Sequence, residues 1–247
     1  EVREEEIDNY LFISSYQNFA SIIEDIPPSL FPQTTLEIKN FKKGHVINTS
    51  CDSVVVKIIE KKPRKIYAAK TLRKYFDFQD IEKNLEYLKQ YIKRIFKQAK
   101  ILSQISHPSI IKYIGFSPVN FMGSHEEPVI VTEYYKNGSL HDILKFERKG
   151  NPIKEWNPTM KLINIYGIAS AILYLHQRNI IHRDINPSNV FVDDFLFPKL
   201  GGFGLAKFLD DEDEEPDLVG TAAYVSPEIF NENKYTKASD VYAFGMT

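Results

Sequence analysis

The spacing of apolar residues changes along the chain, and each change marks a different kind of element. From about residue 41, short β-branched runs alternate with polar turns: His45 to Ile47, Val54 to Ile59 and Lys65 to Thr71. Runs of this kind predict successive antiparallel strands. Between Ile81 and Ile105 the period lengthens, with Leu85, Leu88, Ile92, Ile95, Phe96, Ala99 and Leu102 at helical spacing, which predicts one amphipathic helix. Its many lysines read as a solvated face or as a docking surface for acidic partners. Pro128 to Glu133 reads as a further strand, and Asn137-Gly138 as a turn into a mainly helical region with Ser139 as the first N-cap. There Met160, Ile163, Gly167, Ile168, Ala171, Ile172 and Leu175 form a stripe expected to be buried. Ahead of all this, residues 1–33 start acidic, run apolar-periodic from Tyr10 to Ile26, and stop at Pro27-Pro28 and Pro32. They read as an extension that packs on the strand region or acts as a tether, and no internal repeat is visible.

Composition narrows the class. With 247 residues, 43% hydrophobic and 26% charged, the chain is long enough for two buried cores, which argues against disorder. A formal net charge of −2 argues against a nucleic-acid binder, whose footprint is strongly basic. The single cysteine, Cys51, leaves no internal disulfide and suits a reducing compartment; without a nearby cation cluster it reads as an ordinary thiol. The longest mainly apolar stretch, Ile163 to Leu175, is too short to span a bilayer and contains Asn164, so no membrane span and no membrane partner are expected. The acidic first residues do not resemble a signal peptide, and a cytoplasmic location is expected by elimination.

The chemistry sits in short motifs. His182-Arg183-Asp184-Ile185-Asn186-Pro187-Ser188-Asn189 places an asparagine five residues after an aspartate. Before it come Tyr67-Ala68-Ala69-Lys70, His107-Pro108-Ser109-Ile110-Ile111 and Thr132-Glu133-Tyr134-Tyr135. After it come Gly204-Leu205-Ala206-Lys207, Gly220-Thr221, Ser226-Pro227-Glu228 and Asp240-Val241-Tyr242-Ala243-Phe244-Gly245. In this order and at these spacings the set resembles the protein kinase family, nearest its Ser/Thr or tyrosine-kinase-like branches. The resemblance implies an α+β, bilobal protein-kinase-like fold at residues 36–247, behind an extension at 1–35. It implies an antiparallel β small lobe with an αC helix at 36–132, a hinge at 133–138 and a mainly helical large lobe at 139–247 that stops after the start of αF. Glu228 would there lack its usual arginine partner, so the natural product is expected to be longer or poorly stable. By the same resemblance Asp184 is the base-like catalytic carboxylate, Lys70 the holder of the α and β phosphates of ATP, and Asn189 a metal ligand. Val55, Ala68 and Phe191 would line the adenine slot, Thr132 would be the gatekeeper, and the backbones of Glu133 and Tyr135 would bond the nucleotide. Leu102, Tyr113, His182 and Phe203 would form the hydrophobic column of the family.

Against this pattern stand several departures, all in phosphate handling. Gly202-Phe203-Gly204 occupies the place of Asp-Phe-Gly, so the carboxylate that would hold magnesium is missing. The stretch Asn48 to Val55 aligns with the glycine-rich loop without its three glycines and carries Asp52 towards the phosphates; it reads equally as a plain hairpin turn. Gln98 stands where the αC glutamate would pair with Lys70, and Asn186 where Ser/Thr kinases carry a lysine. No Ser, Thr or Tyr lies from Gly202 to Gly220, and the acidic run Asp210 to Glu215 reads as a solvated loop or as a source of a replacement carboxylate. The first expectation is a pseudokinase: a scaffold or regulatory module with protein partners, weak or metal-independent ATP binding, and a magnesium site impaired or absent. The second is a weak ATP-dependent Ser/Thr kinase using Lys70, Asp184, Asn189 and one metal. The third is a truncated copy with a broad, non-cooperative melt.

Overall fold

The computed structural model describes residues 35–50, 53–72, 81–118, 128–211, 219–232 and 234–247, with the side chains of 72 and 81–87 left aside. The extension at 1–33, Cys51, Asp52 and residues 212–215 of the acidic run lie outside the described residues, as does the side chain of Leu85. The chain forms two compact units. One comprises the described residues up to Ser103 with Tyr113–Tyr134, the other Gln104–Lys112 with Tyr135–Thr247.

In the first unit, β1 (Phe41–Thr49), β2 (Ser53–Glu60), β3 (Ile66–Leu72), β4 (Tyr113–Ser117) and β5 (Val129–Glu133) make one antiparallel sheet in the order β1-β2-β3-β5-β4, with helix α1 (Ile81–Gln104) between β3 and β4 in sequence. Because strand side chains alternate, the register sorts residues into two faces. Val56, Ile58, Tyr67, Ala69, Val129 and Val131 share one face and are buried with Ile38 and Phe41. The other face carries Val55 opposite Lys70, Ala68 opposite Thr132, and Ile130 opposite both Lys70 and Phe116. There Phe96 of α1 meets Phe116 edge to face, with centroids 4.7 Å apart. Leu88, Ile92, Ile95, Phe96, Ala99 and Leu102 of the predicted stripe are buried, joined by Tyr91 and Ile101.

The second unit holds α2 (Leu140–Arg148), α3 (Pro158–His176), β6 (Ile180–Ile181), β7 (Val190–Val192), β8 (Pro198–Leu200), β9 (Lys207–Phe208), α4 (Pro227–Glu232) and α5 (Lys237–Gly245). Among the described residues its strands pair as β6 with β9 and β7 with β8, with isolated bridges from Leu200 to Ile110 and from Phe191 to Ser139. Gly138, at φ +73°, makes the turn that the Asn-Gly pair predicts, and Ser139 caps α2 in a reciprocal box with Asp142. Asn157 caps α3, with Pro158 in its first turn.

The stripe on α3 differs from its prediction at two positions, Met160, which is half-buried, and Ile163. Ile163 is 37% exposed, whereas Asn164 is buried, because its amide donates to Met160 O at 2.9 Å and Leu196 O at 2.8 Å. A hydrophobicity pattern cannot anticipate a polar side chain whose amide N–H groups are satisfied in part by a carbonyl 32 residues away. Among the described residues no helix is long and apolar enough to cross a membrane.

Gly167 lets β8 approach α3: a Cβ there would lie 2.6 Å from Pro198 Cγ and 2.9 Å from Ser109 Oγ. Gly167→Ala would gain about 1 kcal/mol of helix propensity but costs about 1–3 kcal/mol in overpacking. Net destabilisation in a chemical denaturation curve is the expected result, and a stabilised variant would contradict this packing.

Candidate functional site

The motif residues of the second unit are positioned from α5. Asp240 lies in its first turn, 1% exposed, after Ser239 Oγ has accepted the Thr236 N–H at 3.1 Å. Its carboxylate accepts the backbone N–H groups of His182 at 2.8 Å and Arg183 at 2.9 Å, and contacts His176 Nε2 at 2.8 Å. This spreads a buried charge over three donors and fixes the start of the catalytic-loop motif.

His182 is fully buried and stacks edge-on against Phe203 at 4.9 Å. Its Nδ1 accepts the Asp184 N–H at 3.3 Å, which leaves Nε2 to donate to Gly201 O at 2.7 Å. Burial pushes the imidazole pKa below its ordinary value, against the opposing pull of Asp240, the Gly201 carbonyl and Asp184. Arg183 takes a left-handed backbone, φ +64°, and its Nε donates to Leu205 O at 2.6 Å. Its carbonyl is approached by Gly220, at φ +103°, where a Cβ would lie 2.7 Å from that oxygen. The glycine of the Gly-Thr motif is therefore required by close approach as well as by φ.

This frame delivers Asp184 into a ring of donors. Its Oδ1 accepts from Thr221 Oγ1 at 2.7 Å, Thr221 N at 3.0 Å and Asn186 Nδ2 at 3.0 Å. Its Oδ2 accepts from Asn189 Nδ2 at 2.6 Å. Asn186 is itself held, its Oδ1 accepting the Ser188 N–H at 2.9 Å. Gly202 stands beside this ring at φ +76°, and a Cβ there would lie 2.5 Å from Asn189 Oδ1 and 2.6 Å from its Nδ2. The amide of Asn189 thus occupies the space into which a side chain at 202 would project.

The remaining predicted positions divide between the units. In the first, Lys70 Nζ donates to Gln98 Oε1 at 3.2 Å, so the lysine and the substituted glutamine meet as the motif alignment implies. Val55, Ala68 and Thr132 share the sheet face of Lys70. Glu133 pairs with Lys65 at 3.7 Å. At the β1–β2 hairpin, Thr49 N donates to Asn48 Oδ1 at 2.8 Å, Ser50 N to Ser53 O at 2.8 Å and Ser53 N to Ser50 Oγ at 3.1 Å. Three loop N–H groups are therefore committed within the turn. In the second unit, Phe191 stacks on Tyr135 at 6.2 Å, whose hydroxyl accepts the Lys112 N–H at 3.2 Å.

Sequence reasoning placed Asp184, Asn186 and Asn189 in one loop but missed Thr221 as a partner of Asp184 and Asp240 as the anchor. A carboxylate in the first turn of an apolar helix was the available signal for Asp240. Among the described residues no three His, Cys, Asp or Glu side chains gather as a metal-binding group.

A histidine held neutral by burial is protonated more readily after unfolding, so the unfolded state binds the extra proton below about pH 6.5. His107, lowered by burial and then by Arg178 and Lys199, acts in the same sense. Thermal stability is expected to be full above that pH and to fall as the pH is taken from about 7.5 to about 5.5. A midpoint that rises over this interval would contradict the neutral state of His182.

A sequence profile of the protein kinase domain matches residues 43–247. In Arabidopsis thaliana, Lectin-domain containing receptor kinase VI.3 is 32% identical over 163 residues, covering 64% of this chain and 23% of that protein. L-type lectin-domain containing receptor kinase IX.1 is 36% identical over 163 residues, 64% of this chain and 24% of that protein. Cysteine-rich receptor-like protein kinase 42 is 33% identical over 163 residues, with the same coverage of 64% and 24%. The match therefore spans about a quarter of the length of these relatives. With its five-stranded antiparallel sheet and long helix in one unit, its helical second unit and its ordered motifs, the chain belongs to the protein kinase superfamily.

Proposed function

We propose that this protein kinase domain is a pseudokinase, a scaffold or regulatory module that engages protein partners and binds ATP weakly or without metal. The observation that carries the reading is the state of Asp184. A carboxylate that must accept the proton of an incoming hydroxyl needs a lone pair facing it, and here three donors crowd Oδ1 and a fourth bonds to Oδ2, which leaves lone-pair room on Oδ2 alone.

The fold family implies magnesium, and the side chains present do not fit it. Magnesium demands near-octahedral oxygen ligation, usually with one or two carboxylates. Gly202 offers no ligand, and Asn189, whose Nδ2 donates to Asp184, offers one neutral oxygen, Oδ1, in place of the carboxylate set. The missing Lewis acid is worth several kcal/mol, or about three orders of magnitude in rate at about 1.4 kcal/mol per factor of ten. Asn186, an amide in place of a lysine, adds no positive charge for a moving phosphoryl group. Partners of the protein class, and a cytoplasmic address suggested by the single cysteine, complete the reading.

The second reading, a weak ATP-dependent Ser/Thr kinase, draws support from one contact. Lys70 and Gln98 meet at 3.2 Å, so the nucleotide lysine retains a hydrogen-bonded partner in α1.

Phosphate incorporation into a generic Ser/Thr substrate separates the two. The pseudokinase reading expects incorporation at least about 1000-fold below that of an active kinase, and no recovery in Gly202→Asp, whose new side chain meets Asn189. Brisk turnover from that single change, or wild-type incorporation abolished by Asp184→Asn, would overturn it.

A further inference from the structure

Charge is segregated in this chain. At one end of the small-unit sheet, Lys39, Lys42, Lys43, Lys61, Lys62, Arg64 and Lys65 are all exposed. They come from two stretches, the turn leading into β1 and the β2–β3 hairpin, which the fold brings together. Lys61 N donates to Asn40 O at 2.9 Å, Lys61 Nζ to Lys39 O at 2.7 Å, and Lys42 lies opposite Ile59 in register. The carboxylates here are Glu37, Glu60 and Glu133, and each is engaged: by Lys39 at 3.3 Å, by the Tyr67 hydroxyl at 3.0 Å and by Lys65 at 3.7 Å. Lys42, Lys43, Lys62 and Arg64 make no ion pair with the described residues. Since the whole chain carries −2, the residues outside this cluster are net acidic.

We propose that this cationic end of the sheet is a peripheral docking surface for an anionic membrane leaflet, a contact on the bilayer surface rather than a span through it. Clusters of four to eight Lys or Arg are attracted to acidic headgroups, each cation adding about fivefold in partitioning. The patch is formed by an exposed hairpin and a neighbouring turn, with its cations spread over both, and so suits a broad sheet of charge. Its apolar complement is aliphatic and lies at the tip: Ile66, 38% exposed, follows Lys65, and Pro63 is exposed between Lys62 and Arg64. Such side chains suit the headgroup boundary. A nucleic-acid surface would set aromatic stacking platforms among its cations, whereas the aromatics here, Phe41 and Tyr67, are buried. An extended acidic peptide meets two obstacles. The hairpin is closed by the Glu60 N–H to Lys65 O bond at 2.9 Å, and the β1 edge is broken by two register shifts and guarded by lysines.

The proposal is independent of phosphate transfer and of nucleotide. Its test is flotation of the whole chain with vesicles of phosphatidylcholine alone and with about 30% phosphatidylserine. Binding is expected only to the anionic vesicles, weakening as salt rises from about 0.05 to about 0.3 M. The triple variant Lys61→Glu, Lys62→Glu, Arg64→Glu should partition at least about 100-fold less. Because these side chains are exposed, its melt should match the parent; if it does not, Lys42→Gln with Lys43→Gln carries the same test. Equal binding to both vesicles, undiminished binding by a folded variant, or capture of duplex DNA or polyglutamate with no vesicle binding would each overturn the proposal.

Discussion

The second unit depends on one buried carboxylate. Asp240 accepts the backbone N–H groups of two successive residues, His182 and Arg183, that lie 58 and 57 residues earlier in the chain. Those groups would be costly to leave buried and unpaired, and the carboxylate would be costly to bury without them. Together they turn the loop so that Arg183 adopts a left-handed backbone, its carbonyl faces Gly220, and the imidazole of His182 points inward to the Gly201 carbonyl. The position of Asp184 is a consequence of those constraints.

The same constraints explain how the loop persists without the aspartate expected at 202. An unpaired Asp184 would be a poorly satisfied charge beside a vacant space. Instead Asn189 fills the space over Gly202 and Thr221 closes the ring from the other side. The cluster thus places four donors, from Thr221, Asn186 and Asn189, on the two Asp184 oxygens. In the first unit the equivalent change is milder. A neutral amide opposite Lys70 keeps a hydrogen bond to a charged group, worth about 1.5–3 kcal/mol, while giving up the ionic lock.

The fold was legible wherever a periodic pattern met a single environment. The strands at 53–60 and 66–72, the helix at 81–104, and the cap at Ser139 follow from β-branched runs, helical spacing and local hydrogen-bonding chemistry. The pattern failed at Asn164, whose burial depends on the Leu196 carbonyl 32 residues away. The candidate site was legible as residue types but not as a network. The contact between Thr221 and Asp184 spans 37 residues, and neither residue announces it locally. The departures at Gly202 and Gln98 were visible in sequence because a strong motif frame surrounds them; that Asn189 fills the room at Gly202 depends on a contact that neither residue type signals. The cationic end of the sheet escaped for a related reason, because its lysines come from two short segments that are ordinary when read apart.

Completeness of the Asp184 cluster without metal is tested most directly by a thermal melt of the chain with ATP, run in magnesium, in manganese and in EDTA. Ligand at 100 times its Kd adds about 2.7 kcal/mol, enough to move the midpoint by several degrees. A midpoint shifted equally in all three conditions, or in none, is the predicted result. A shift that appears with magnesium or manganese and vanishes in EDTA would contradict a metal-free cluster and restore a metal-assisted kinase.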